Sequence, residues 1–126
     1  MQLNRSLALC AVLLASSWAQ ALTVTPYSAA AFAKLQSAGE PVALHFHADW
    51  CPTCRAQDKS VEALKADPAL TLTVLSVDYD KESELKKQLN VRSQSTFIVY
   101  RGKVEKTRNI GETSVEGIRK TLRASL

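Results

Sequence analysis

The sequence predicts an α/β domain with a mixed five-stranded sheet flanked by helices, in the order β-α-β-α-β-α-β-β-α. Three observations lead there. Apolar, β-branched runs of strand length (Val42–His47, Leu70–Asp78, Thr96–Tyr100) alternate with stretches of helical periodicity. Pro, Gly and Asp punctuate the boundaries between them. The last two strands are separated only by Arg101-Gly102-Lys103, a hairpin turn that makes that pair antiparallel.

Leu22–Val24 reads as a short first strand. Pro26-Tyr27-Ser28 leads into an alanine-rich helix, with Ser28 as N-cap, Phe32 and Leu35 on one face, and Gly39 as the C-terminal stop. Pro41 opens a second strand that runs to His47. After Ala48-Asp49-Trp50-Cys51-Pro52-Thr53-Cys54 comes a helix to about Ala66. It faces inward with Val61 and Leu64, and Asp67-Pro68 stops it. The alternation over Leu70–Asp78 makes a third strand, and Asp80 is placed to cap a charged helix, Lys81–Leu89, with Leu85 and Leu89 inward. Thr96–Tyr100 and Val104–Asn109 form the hairpin, and Gly111 breaks the second of these strands. Thr113 or Ser114 caps a final helix with Val115, Ile118 and Leu122 on one face.

The first residues read differently from the rest. Arg5 supplies a positive charge, Leu7–Ala15 an apolar run, and Ala19-Gln20-Ala21 a small-residue cleavage pattern. These are the marks of a secretory leader, and the run is shorter than the ~20 apolar residues a membrane span needs. Cleavage after Ala21 takes 21 residues from 126 and leaves 105, one domain over 22–126, expected in the periplasm. Losing Arg5 lowers the net charge from +4 to +3. No Lys/Arg run or basic stripe interleaved with aromatics occurs, which argues against nucleic-acid binding. Neither G-x-G-x-x-G nor a P-loop is present, so no organic cofactor is expected.

Cys10 leaves with the leader, so the domain retains only Cys51 and Cys54. A bond between residues three apart closes a tiny loop and restricts little chain entropy, so the pair is suited to reaction rather than to stapling. A strand ending at His47 delivers Cys51 to the N-terminus of the next helix, where unpaired N–H groups and the dipole stabilise a thiolate. The thiolate is the nucleophile. Pro52 fits the first helical turn because its missing N–H was unpaired anyway. Cys54 lies one turn on, placed to resolve a mixed disulfide.

With these residues the chain resembles the thioredoxin superfamily, over roughly Leu22 to Leu126. The resemblance rests on Ala48-Asp49-Trp50-Cys51-x-x-Cys54, the Arg92-x-x-x-Thr96 region, Gly102 in the turn, and Gly111. The Trp50–Arg55 string is also similar to exported reductases of cytochrome c maturation. Its approach is similar to the terminal domain of membrane electron-relay disulfide reductases. The resemblance implies a thioredoxin-like fold and a monomeric thiol–disulfide oxidoreductase, acting more as reductase than oxidant. Its only redox group is the Cys51–Cys54 pair. Cys51 attacks, Cys54 resolves, Trp50 shields the pair, and Pro52 and Thr53 tune its potential. The backbone near Ser95 and Thr96 holds a protein thiol or disulfide client, and a membrane-bound reductase supplies electrons.

Two positions depart from the family pattern. Ser95 stands where thioredoxins carry a cis-proline facing the cysteines. A non-proline cis bond costs ~3 kcal/mol, so a trans peptide or a strained cis one is expected there. In the family this proline is thought to keep metals from the thiolates. His45 stands where many thioredoxins carry a buried acid that accepts the proton of the second cysteine. It reads either as that acceptor or as a hydrogen-bonded core histidine, and if cationic it would make the pair more oxidising. An alternative function is zinc or copper(I) binding through His45, His47, Cys51 and Cys54, since the histidines share one strand face. A redox-silent binding module on the same fold would not require both thiols.

Overall fold

A computed structural model of the protein describes residues 21–126, so the leader assigned to Met1–Ala21 lies outside the described residues but for Ala21 itself. The elements run β1 (Leu22–Pro26), α1 (Ala29–Ser37), β2 (Pro41–His47), α2 (Pro52–Leu64), β3 (Leu72–Asp78), α3 (Ser83–Leu89), β4 (Thr96–Arg101), β5 (Val104–Ile110) and α4 (Val115–Arg123). The sheet order is β1-β3-β2-β4-β5. β1 and β2 lie parallel to β3, while β2–β4 and β4–β5 are antiparallel. The mixed sheet expected from the hairpin is the one observed.

β2 is the central strand, and its apolar run is buried on both faces. On one face Ala43, Val74, Phe97 and Val99 pack with Val61 and Leu64 of α2 and with Ile118 and Leu122 of α4. On the other, Val42, Leu44, Phe46 and Ile98 pack with Leu85 of α3, and Phe32 and Leu35 of α1 lie against them. Each fully buried Leu or Phe contributes ~1.5–3 kcal/mol. His45 lies between Leu44 and Phe46 and therefore projects towards α2, where the site is built.

Local chemistry sets the ends. Ser28 accepts the N–H of Ala31 and Ser114 that of Gly117, so both serve as N-caps. Gly39 and Gly102 adopt positive φ at the turns where glycine was expected. α2 ends at Leu64 and β3 begins at Leu72, each two residues short of expectation.

Two expectations are corrected. α3 starts at Ser83, not Lys81, and Asp80 does not cap it. Asp78 instead draws in the N–H groups of Asp80 and Lys81 with its Oδ1, so the turn closes one step earlier. That frees the Asp80 carboxylate, which accepts the indole N–H of Trp50. Val115 was placed on the inward face of the last helix but is 38% exposed, because α4 turns Ile118, Thr121 and Leu122 to the core.

Candidate active site

Cys51 is the N-cap of α2. Its extended backbone (φ −90°, ψ 113°) turns the side chain back over the first turn, where Sγ accepts the Cys54 N–H at 3.1 Å. Pro52 begins the helix without a hydrogen to satisfy. The Cys51 N–H donates to Ala48 O, and Arg55 Nη1 donates to Asp49 O at 2.8 Å, so the approach from β2 is held at both ends. The two cysteines are unbonded and approach within 2.7 Å. Cys54 is fully buried, whereas Cys51, 2% exposed, lies between the exposed residues Trp50 and Pro52.

The pKa values of the two thiols are split in opposite directions. Burial works against a Cys51 thiolate, but hydrogen bonds from the Cys54 thiol, the Ser95 hydroxyl and the Cys54 and Thr53 backbone outweigh it. Its pKa falls below the ordinary thiol value. Burial pushes the Cys54 thiol up, as do its bond to Cys51 and the charge there. Of the two sulfurs, Cys51 thus ionises more readily and Cys54 less readily than an ordinary thiol.

Ser95 comes from the opposite side. The antiparallel register pairs Phe46 with Thr96, so the residue before β4 falls at the end of β2 beside the cysteines. Ser95 Oγ lies 3.2 Å from Cys51 Sγ and 3.1 Å from Cys54 Sγ. No cis peptide occurs among the described residues, so the bond before Ser95 is trans. The backbone instead turns at Ser95 itself, with φ +62°. That left-handed conformation costs ~1–2 kcal/mol for a residue with a Cβ. Three hydrogen bonds hold it: Ser95 N–H to Phe46 O at 2.8 Å, Gly111 N–H to Ser95 O at 3.0 Å, and Gln57 Nε2–H to Ser95 O at 3.0 Å.

Both main-chain groups of Ser95 are thus used within the protein. Thr96 is paired with Phe46 and Ile110 across the sheet, and its hydroxyl donates to Ser93 O. The segment just before, Gln94, carries no hydrogen bond among the described residues and is only half-buried. Main chain without an internal hydrogen bond therefore lies one residue before Ser95.

His45 is buried, stacked on Phe97 at 4.2 Å, and its Nε2 is 2.8 Å from Gln57 Oε1. Burial lowers its pKa to about 4 against the opposing pull of Gln57 and Asp58. It is a neutral histidine at neutral pH, so the cationic reading, with its oxidising effect, does not apply. His47 Nε2 lies 2.7 Å from Asp58 Oδ2. Each histidine thus spends a nitrogen on α2, and the four side chains of the metal reading do not converge. Among the described residues no group of three or more His, Cys, Asp or Glu is arranged to hold a metal ion.

Trp50, expected to shield the pair, stands 58% exposed, with Nε1 donating to Asp80 Oδ2 at 2.8 Å. It lines a cleft of about 330 Å³, together with His47, Asp49, Asp78 and Asp80; neither cysteine lines that cleft. Pro52 and Thr53 lie at the surface between the cysteines, exposed and half-buried respectively.

One residue of the site, Gln57, was not anticipated. It is fully buried, and it links His45, Ser95 O and Glu112 O. A signal existed. Cys54, Gln57, Ser60, Val61 and Leu64 form the buried stripe of α2, and Gln57 is the one long polar side chain on it. A buried amide demands partners, so its presence there implies a network.

Comparison with known proteins follows this geometry. The family model described as Thioredoxin matches residues 23–124. Thioredoxin-1 of Drosophila yakuba is 35% identical over 60 residues, which are 48% of this chain and 56% of that protein. The bifunctional thioredoxin reductase/thioredoxin of Mycobacterium leprae (strain TN) is 30% identical over 81 residues, 64% of this chain and 18% of that one. The match thus spans little more than half of the first relative and under a fifth of the second. The crystal structure of Trxlp from Edwardsiella tarda EIB202 superposes with a TM-score of 0.74 at 40% identity, covering 80% of this chain and 97% of that one.

Proposed function

The chain belongs to the thioredoxin family, and from that premise we propose that it is an exported thiol–disulfide oxidoreductase that reduces protein disulfides. One observation carries the reading: the Cys51 sulfur caps α2 and accepts the Cys54 N–H, while Cys54 waits one turn behind as a thiol. This is the arrangement for attack by one sulfur and release by the other. A client disulfide enters beside Trp50, and its main chain meets the open backbone at Gln94. Cys51 forms the mixed disulfide, and Cys54 attacks Cys51 to free the reduced client.

Export is supported by the Arg5, Leu7–Ala15 and Ala19-Gln20-Ala21 pattern, and in this reading the domain works in the periplasm, as a monomer. A membrane-bound reductase would restore the dithiol there, since the pair must be reduced again after each turnover. A neutral His45 supports the reductase direction, because it adds no positive charge to favour the thiolate over the disulfide.

The decisive measurement is the reduction potential, read by alkylating free thiols at fixed glutathione or dithiothreitol ratios and weighing the products. A value near −270 mV is expected of a reductase, and one near −120 mV would make it an oxidant instead. N-terminal sequencing of the protein recovered from a periplasmic fraction should begin at Leu22. Recovery only with Met1 intact in the cytoplasm would remove the exported role.

A further inference from the structure

We propose, resting on the oxidoreductase reading above, that the Ser95 hydroxyl is a catalytic hydrogen-bond donor that serves two thiolates in turn. It serves Cys51 before attack on the client, and Cys54 while the mixed disulfide is resolved. Proline at this position would have no hydroxyl to offer.

The geometry is nearly symmetric: Ser95 Oγ is 3.2 Å from one sulfur and 3.1 Å from the other. A hydroxyl has one hydrogen and rotates freely about its C–O bond, so it can turn that hydrogen to whichever sulfur is charged. Hydrogen bonds to an ionised partner are the strong ones, so the donor follows the charge. The rest of the residue is immobile. Its N–H and C=O are fixed by Phe46, Gly111 and Gln57, and it keeps a positive φ that a serine seldom adopts.

Among the described residues, no charged side chain competes for the role. Asp49 and Asp58 lie against His47, and Asp58 also approaches His45. The Glu112 carboxylate is turned to the N–H and hydroxyl of Ser114. His45 is separated from Ser95 by Gln57, which holds the Ser95 carbonyl and not its hydroxyl.

The reaction balances without a further reagent. The Cys51 thiolate gives its electron pair to one client sulfur, and the client S–S bond breaks. The departing client thiolate takes up the proton that Cys54 gives up. Ser95 then turns its hydrogen to the new Cys54 thiolate, which attacks Cys51 Sγ. The Cys51–Cys54 bond forms, and the second client thiolate leaves and is protonated by water. The cysteine pair loses two electrons and the client gains two.

The test uses the full chain with Ser95→Ala and Ser95→Gly. Both remove the hydroxyl, but glycine accepts the positive φ, so Ser95→Gly keeps the backbone free of strain. Thiolate absorbance near 240 nm is titrated against pH. The Cys51 midpoint is expected to rise by about one pH unit in both variants, a tenfold drop in thiolate below the midpoint. The second role is read by loading Cys51 with oxidised glutathione and timing the glutathione released by Cys54. Loss of the donor lowers the thiolate fraction, but a more basic thiolate is a better nucleophile. Release should therefore slow about threefold below the Cys54 midpoint, and the deficit should vanish or reverse above it.

Midpoints equal to the wild type in both variants would overturn the proposal. So would different midpoints in the alanine and glycine variants, which would assign the effect to the backbone. A raised Cys51 midpoint with unchanged glutathione release would overturn the service to Cys54. A wild-type chain that reduces no protein disulfide would defeat the oxidoreductase reading instead. The thiolate titration needs no client and would still report on the hydroxyl.

Discussion

His45 donates its Nε2–H to Gln57 Oε1 across 2.8 Å. The direction follows from Gln57, whose Nε2 hydrogens both go to carbonyls, those of Ser95 and Glu112. Its Oε1 must therefore accept, which leaves His45 Nδ1 without a hydrogen while the ring is neutral. Three segments distant in sequence are joined by this one amide: β2, the turn before β4 and the loop after β5.

Gln57→Met keeps the volume of that side chain and removes all three bonds. It leaves the Glu112 carbonyl and the His45 N–H short of partners inside the protein, while the Ser95 carbonyl keeps only the Gly111 N–H. A loss of roughly 2–5 kcal/mol is expected, because unsatisfied buried groups lose their hydration without return. Urea unfolding measures it. A loss below ~1 kcal/mol would mean that water replaces the amide.

His45 makes stability depend on pH. Its pKa is lowered from 6.5 to about 4 in the folded chain. Between those values the unfolded chain binds a proton that the folded chain refuses, so stability rises with pH across the window. The contribution is complete above pH 6.5 and falls away towards pH 4, by ~3 kcal/mol. Urea midpoints measured from pH 7 to pH 4 should decline accordingly. In His45→Phe that part of the decline should disappear, whatever the variant's stability at pH 7.

The lowered Cys51 pKa and the raised Cys54 pKa predict unequal reactivity. Limiting iodoacetamide at neutral pH should label Cys51 ahead of Cys54, as peptide mass mapping would report. Cys54→Ser should accumulate mixed disulfides with protein clients, and Cys51→Ser should not. Labelling and trapping through Cys54 would exchange the two roles.

Asp80 holds the indole of Trp50 and not the start of α3. Asp80→Ala should therefore change stability by less than ~1 kcal/mol, as for an exposed hydrogen bond. In a Trp18→Phe background it should shift the emission of Trp50, the remaining tryptophan. A loss above ~2 kcal/mol would return Asp80 to the helix-capping role expected from the sequence.

Most of the fold was legible because it is written in short-range patterns. Ser28 and Ser114 cap the helices they precede, Gly39 and Gly102 turn with positive φ, and Val42–His47 is the buried central strand. The α3 boundary was misjudged because Asp78 and Asp80 are equally good caps in one dimension. The indole of Trp50, 30 residues upstream, takes one of them. Val115 was misplaced for a similar reason: period alone does not say which of two neighbouring faces meets the sheet.

By itself the sequence determined the reactive pair. Cys51-Pro52-Thr53-Cys54 after a strand and before a helix specifies a sulfur at a helix N-terminus, and those constraints act within one turn. Tertiary structure alone decided what surrounds it. Whether His45 is charged, where Gln57 sends its hydrogens and what the Ser95 hydroxyl touches all depend on segments 12 to 55 residues apart in the chain. Burial and hydrogen bonding between such segments exist only once the sheet has brought them together, and no local spacing encodes them.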